Sequence, residues 1–378
     1  MTPSSPVRPE PDGGRHAHVS LQAGRVRLPA MGSKRCPRTA TFFEMTNVTL
    51  PLKWPHGFHN WPESGDRAQS GGFARRNAEG PPPWFTSGSP MLRACLELLR
   101  PANVVTALAD VLAGVAIAGT ASRSTWPWLL LATVCLYAGG VVLNDVFDRE
   151  IDRVERPERP IPSGRVSAGA AAALGGGLLA SGIVAAAGAN TTAFLVAMAI
   201  AACVLLYDAW GKRHAAIGPL NMAMCRALNL LLGIAAVPAA LASAWPVASV
   251  PLLYIYAVTT ISRGEVHGGS SRAATSALVI LLFSLAGLAL IASRAGFEHA
   301  VPALVLVGAL AWRVIPPFLA ARQRPAAATI RAAVRRGVLS LVLLDAALAA
   351  AFAGPIFAAA VLATGLVAGW LARMFAVT

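Results

Sequence analysis

Charged residues are scarce in this chain. Only 13% of its 378 residues are Asp, Glu, Lys or Arg, and the acids are the rarer kind, 18 against 32 bases. Ordinary soluble domains carry about 25% charged residues, so a chain this poor in charge cannot cover a globule of its size with solvated groups. The apolar runs lack period-2 alternation, which excludes a membrane β-barrel. The five cysteines, Cys36, Cys95, Cys135, Cys203 and Cys225, show no C-x-x-C spacing, and four of them fall in or beside apolar segments. They read as reduced packing residues and not as ligands of a metal cluster.

What is abundant is apolar: 55% of the residues. That balance predicts a polytopic, all-α membrane protein. The formal net charge of +14 does not point to nucleic acid, because the arginines lie in short loops between apolar runs, where cation bias marks the cytoplasmic side. Residues 1–90 differ in kind. They are rich in Pro, Gly, Ser and Arg without a sustained period, and are expected to be a disordered basic extension. Met91 opens MLRACLELLRPANVVTALADVLAG, a natural start for a membrane protein, so the upstream part reads equally as a gene-model artefact. Residues 91–378 are expected to form the membrane domain.

A helix needs about 20 mainly apolar residues to cross the hydrocarbon. Such runs lie near 102–120, 126–146, 167–188, 191–208, 217–241, 246–262, 274–294 and 300–320. The stretch from Gly337 to Trp370 is too long for one span, and Gly354-Pro355 in its middle predicts a break. Nine or ten transmembrane helices follow, with many small residues that let them approach closely. Arg149, Arg153, Arg156, Arg159 and Arg165 follow the second run, Lys212 and Arg213 the fourth, Arg263 and Arg272 the sixth, and Arg322, Arg324, Arg331, Arg335 and Arg336 the eighth. Every second loop is therefore expected in the cytoplasm, the cell inner membrane being the natural location.

The chemistry concentrates in the first of these loops, NDVFDREIDRVERPERPIPSGR, residues 144–165. On a helix continuing from the second span, Asp145, Asp148 and Asp152 share a face, with Asn144 adjoining. Three carboxylates on one face repel unless a cation sits among them. Mg²⁺ suits, since it takes oxygen ligands and commonly joins one or two carboxylates to substrate phosphates. Arg159 and Arg165 would then grip phosphate oxygens. Carboxylate, metal and arginine together predict a diphosphate site at the membrane surface. Within the spans, Asp110, Asp345, Asn103, Asn221, Arg226 and Asn229 sit at a depth where polar groups line a cavity or bond between helices.

Asn144-Asp145-x-x-Asp148-x-x-x-Asp152 followed by Arg159-Pro160-Ile161-Pro162-Ser163-Gly164-Arg165 resembles the first aspartate-rich motif and its tail in the UbiA superfamily of intramembrane prenyltransferases. Tyr207-Asp208 and Lys212, with Gly218, Arg226 and Asn229, resemble that family's tyrosine–lysine loop and the polar face of its fifth helix. The segment Ser262-Arg263-Gly264-Glu265-Val266-His267-Gly268 suggests the EboC-like branch. The resemblance covers nearly everything after Met91.

It implies Mg²⁺-dependent transfer of a prenyl group from an isoprenyl diphosphate to an acceptor inside a lipid-open cavity, with ionisation of the allylic C–O bond. On matching positions, Asn144, Asp145, Asp148 and Asp152 would hold the first metal, and Arg159, Arg165 and Lys212 the diphosphate; Tyr207 would orient the substrate near the reacting carbon. Arg226 and Asn229 would face the substrate. The chain departs from the family in its second motif: where two aspartates are usual, SRGEVHGGSSR offers Glu265 as its one acid, which reads either as a metal ligand assisted by neutral His267 or as part of a polar interface, with Arg263 as a counter-charge for phosphate or a partner for Glu265. That departure keeps open a reading of another class, a non-catalytic module that binds or delivers a prenylated or phosphorylated lipid. A plain secondary transporter would explain a weak repeat of helix pairs but not the acid spacing. Neither acceptor nor prenyl length is legible.

Overall fold

The computed structural model describes residues 90–119, 123–265 and 268–375. The expectation for the N-terminal extension lies outside them, as do Val266 and His267. The described residues all fall within one compact unit of the chain. In order they form α1 (Pro90–Leu99), α2 (Pro101–Ala118), α3 (Trp126–Phe147), α4 (Arg149–Glu155), α5 (Ala168–Ala189), α6 (Thr191–Ala209), α7 (Ile217–Ile234), α8 (Pro238–Ala244), α9 (Ser249–Ser262), α10 (Ser271–Ser293), α11 (Phe297–Gln323), α12 (Ala327–Leu339), α13 (Leu341–Ala353) and α14 (Pro355–Phe375), with no strand among the described residues.

Ten of the helical segments are long and apolar enough to cross a membrane, the upper of the two expected counts. The protein is an integral, multi-pass membrane protein. The tenth span exists because the chain turns at Gly354, whose φ of 85° suits glycine, and restarts at Pro355, whose fixed φ opens a helix well. Side-chain caps start three of the others: Ser167, Asn190 and Ser270 accept from the backbone N–H three residues on, at 3.2, 2.9 and 3.1 Å.

One expectation is corrected. Arg331, Arg335 and Arg336 do not lie in a loop after the eighth span; they ride on α12, which opens the ninth span at Ala327. The reason is amphipathic: Ile330, Ala333, Val334, Gly337 and Val338 are buried on one side of α12, so the apolar stripe forms a helix that the run-counting started ten residues late.

Small residues fix the geometry that matters for the site. A Cβ at Gly114 of α2 would fall 2.3 Å from the carbonyl oxygen of Leu230, and one at Gly233 of α7 would fall 2.3 Å from that of Val111. The two backbones therefore touch, as small residues allow in membrane packing, and Asp110 on α2 meets Arg226 and Asn229 on α7. Gly139 and Gly175 do the same for α3 and α5: a Cβ at Gly139 would stand 2.9 Å from the carbonyl oxygen of Gly175. That contact anchors the helix whose last turn begins the acid cluster.

Candidate diphosphate site and cavity

The helix does not quite run on through the acids. It bends at Asp148, between α3 and α4, yet Asp148 N–H donates to Asn144 O at 3.0 Å and Asp152 N–H to Asp148 O at 2.9 Å. The helical repeat thus survives the bend. Asp145, Asp148 and Asp152 are buried, 4%, 8% and 4% exposed, so they are no solvated loop of surface ion pairs. Burial pushes the Asp152 carboxyl above its ordinary value; the adjoining Arg159 pulls it back, and Asp145 and Asp148 add to the rise.

Cations reach the acids from three elements. Arg159 Nη1 bonds Asp152 Oδ2 at 2.7 Å and Asp145 Oδ1 at 3.2 Å. Its backbone is pinned by the turn that follows: Arg159 O accepts from Ser163 Oγ at 2.7 Å, and Gly164 closes the turn at φ 77°. Lys212 Nζ, from the short 3-10 turn Gly211–Arg213, lies 2.6 Å from Asp148 Oδ1. Arg100 Nη2 lies 2.6 Å from Asp145 Oδ1. Arg100 takes a left-handed conformation, φ 46°, at the joint of α1 and α2; such backbone is costly for a non-glycine residue and clusters at functional sites.

Arg165 goes elsewhere. It pairs with Glu97 of α1 at 2.6 Å and donates to Glu158 O at 2.7 Å, tying the turn to the first helix. In the loop that follows the sixth span, Arg263 Nη1 donates to His214 O at 3.4 Å, and Glu265 O accepts from Arg331 Nη1 at 2.9 Å. The loop carrying Arg263 is thereby held against the loop carrying Lys212.

Asn144 Nδ2 donates to Oδ1 of Asp208, at the end of α6, at 2.8 Å. Asp208 in turn lines a cavity walled by Leu136, Gly140, Ile200, Val204 and Met222 on its apolar side and by Tyr137, Tyr207, Arg226 and Asn229 on its polar side. Behind that polar side Arg226 Nη1 meets Asp110 Oδ2 at 2.5 Å, Asn229 Nδ2 donates to the same oxygen at 2.9 Å, and Thr133 Oγ1 donates to Asn229 Oδ1 at 2.7 Å. Apolar walls beside polar and charged side chains are the surroundings in which developing charge is stabilised and water is kept out.

Magnesium fits this donor set. Four carboxyl groups, Asp145, Asp148, Asp152 and Asp208, meet three cationic side chains, Arg100, Arg159 and Lys212. The excess is negative, the donors are hard oxygens, and Asn144 Oδ1 and Asp208 Oδ2 are buried without a hydrogen-bond partner. Among the described residues no three His, Cys, Asp or Glu side chains converge as a ready-made cage, because the motif carboxylates are drawn to arginine and lysine.

Residues 107–333 match the model of the UbiA prenyltransferase family. The chain belongs to that family. It is 32% identical over 185 residues to the digeranylgeranylglyceryl phosphate synthase of Sulfurisphaera tokodaii, covering 47% of this chain and 63% of that one. To the synthase of the same name from Methanothrix thermoacetophila it is 34% identical over 171 residues, 44% of this chain and 61% of that one. It thus spans just over three fifths of the length of these relatives. A solved structure described as a study of digeranylgeranylglyceryl phosphate synthase biosynthesis in membranes shares the fold, with a TM-score of 0.56 and 21% identity over 70% of this chain and 99% of that one.

The UbiA match includes the acid cluster, the Tyr207–Lys212 turn and Arg226, but stops short of two charged residues that the fold brings in, Arg100 and Asp345. Sequence reading missed Arg100 as a site residue and passed over Asp208. The available signals were an arginine directly before Pro101 at the start of a span, and an acid directly after Tyr207.

Proposed function

We propose that the protein is a Mg²⁺-dependent prenyltransferase that moves the prenyl group of an isoprenyl diphosphate onto a lipid-type acceptor. The observation that carries this reading is the buried cluster of Asp145, Asp148 and Asp152 with Arg100, Arg159 and Lys212 beside a cavity that is apolar on one side. The relatives are named for a product bearing prenyl chains on a glyceryl phosphate, which supports a lipid acceptor. Placement in the EboC-like branch rests on the segment 262–268 alone.

In this reading Asn144, Asp145, Asp148 and Asp152 hold the metal, which when bound supplies positive charge to the departing diphosphate. Arg159, Lys212 and Arg100 exchange part of their carboxylate contacts for phosphate oxygens. Their charge is already in place and oriented, so little reorganisation is needed as the allylic C–O bond breaks. Leu136, Ile200 and Val204 hold the chain and exclude water, and Tyr207 faces the reacting carbon. The acceptor's nucleophilic atom bonds to that carbon, its proton is released, and inorganic diphosphate leaves. The motif loops face the cytoplasm by the distribution of arginine, and residues 91–378 are the catalytic domain.

The test is incubation of the purified full chain with geranyl, farnesyl and geranylgeranyl diphosphate, Mg²⁺ and extracted membrane lipids, reading diphosphate release and new lipid masses. Release that needs both Mg²⁺ and lipid is expected. The thinness of the second motif, whose one acid is Glu265, favours the second reading of a lipid-binding module; prenyl diphosphate binding without release from any donor would establish it instead.

A further inference from the structure

We infer that Asp208 is itself a ligand of the metal–diphosphate complex; the inference rests on the prenyl-transfer reading. Asp208 is fully buried, at the end of α6, and so is Asn144 at the end of α3. The two side chains hold each other through Asn144 Nδ2 and Asp208 Oδ1, at 2.8 Å. That bond leaves two acceptor oxygens, Asn144 Oδ1 and Asp208 Oδ2, without a partner among the described residues. Buried oxygens in that state are costly and call for a specific occupant.

A proton on Asp208 Oδ2 would make that oxygen a donor able to close an acid–amide ring with Asn144 Oδ1, at the cost of the carboxylate charge that faces Lys212. A hard cation satisfies both. Mg²⁺ is commonly held by one or two carboxylates together with substrate phosphates and water, so it needs no cage of three acids. Asp145, Asp148 and Asp152 already bond Arg100, Arg159 and Lys212. Asp208 is the acid still open. Among the described residues that line the cavity it is also the one acid. The charges acting on it are Lys212, Asp148 and Asp145, the members of the motif cluster.

The assignment is tested on the full chain in detergent, with Mn²⁺ as a paramagnetic probe and geranyl thiolodiphosphate as a donor that ionises too slowly to turn over. The parent should bind the analogue in a Mn²⁺-dependent way, with the Mn²⁺ resonance changing on binding. Asp208→Asn should weaken the metal-dependent part by about tenfold or more, as loss of a direct ligand costs at least what outer-shell losses do. Asp208→Cys should bind the analogue with Cd²⁺ in preference to Mg²⁺, a change of metal choice that a folding defect does not mimic. Unchanged metal dependence in Asp208→Asn, including a variant that loses only turnover, overturns the assignment and leaves the functional reading standing. Should Asp208→Asn not fold, absence of Cd²⁺-supported binding in Asp208→Cys overturns it alone. A parent with no metal-dependent binding overturns the functional reading and this assignment together.

Discussion

Arg226 and Asp110 form an ion pair at membrane depth: Nη1 of the arginine lies 2.5 Å from Oδ2 of the aspartate, and the two residues are 4% and 1% exposed. Their meeting depends on the touching backbones of α2 and α7. Asn229 braces the same aspartate oxygen at 2.9 Å, and Asp345 on α13 is close enough for both charges to act on it. The guanidinium also sits 5.7 Å from the centre of the Tyr137 ring, which turns it toward the cavity. One cation thus serves two carboxyl groups where charge is expensive, and it holds a cavity wall in place.

Arg226→Met should therefore destabilise the protein by about 3–5 kcal/mol, because it strands Asp110 beside Asp345 without a counter-charge. Arg226→Met with Asp110→Asn should recover much of that loss. Thermal melting of the single and double variants in detergent checks the coupling; additive effects would show that the pair does not bear on stability.

Asp145 gathers Arg100 and Arg159 on a single oxygen, Oδ1, at 2.6 and 3.2 Å. Asp145→Asn should remove the carboxylate that pairs with Arg100, leave Arg159 to Asp152 and remove a metal oxygen, so Mg²⁺-dependent diphosphate binding should fall by tenfold or more, on the order of a lost first ligand, with the fold retained. Calorimetric titration of a prenyl diphosphate analogue, with and without Mg²⁺, measures both parts. Metal-independent binding that rises while the metal-dependent part disappears would be the signature of freed arginine.

The sequence carried the acid face, because the i, i+3 and i+4 spacing of Asp145, Asp148 and Asp152 survives the bend at Asp148 through two backbone hydrogen bonds. It carried the spans by length, as nine or ten where the structure has ten, and the break at Gly354 by residue type. It did not carry the partners. Arg159 and Arg165 stand in the same turn with equal claim to the acids, and the choice between them is made by Glu97, a residue 68 positions before Arg165 that draws it to α1. Arg100 lay hidden for a similar reason: its place at the acids is set by a left-handed joint between two helices, and no periodic pattern reports a single dihedral angle. Asp208 is a site residue only because α3 and α6 end side by side.

The pH dependence of Asp152 has a definite sign. Burial, the larger influence, raises its carboxyl above the ordinary value, against the pull of Arg159. A native pKa above the unfolded one means that the folded protein takes the proton first. The contribution to stability is complete below the unfolded value and is lost as pH rises through the native value. Melting temperature of the parent, relative to that of Asp152→Asn, should accordingly rise as pH falls from neutrality toward the carboxylate range. A difference that shrinks on acidification would mean that Arg159 outweighs burial.

Gly233 offers a test of how the fold positions the cavity. A methyl group there would lie 2.3 Å from Val111 O and 2.9 Å from Gly114 Cα, both backbone atoms that cannot rotate aside. Gly233→Ala must push α7 from α2. The displacement strains the pair of Arg226 and Asp110, two turns of α7 away, while leaving Asp145, Arg159 and Lys212 on other elements untouched. Overpacking of this kind costs about 1–3 kcal/mol, so the variant should melt lower yet remain folded. Its Mg²⁺-dependent binding of diphosphate should stay near that of the parent, whereas acceptor prenylation should fall, since the polar wall of the cavity has moved and the acid cluster has not. Equal losses of both would place the diphosphate cluster, too, under the control of the α2–α7 contact.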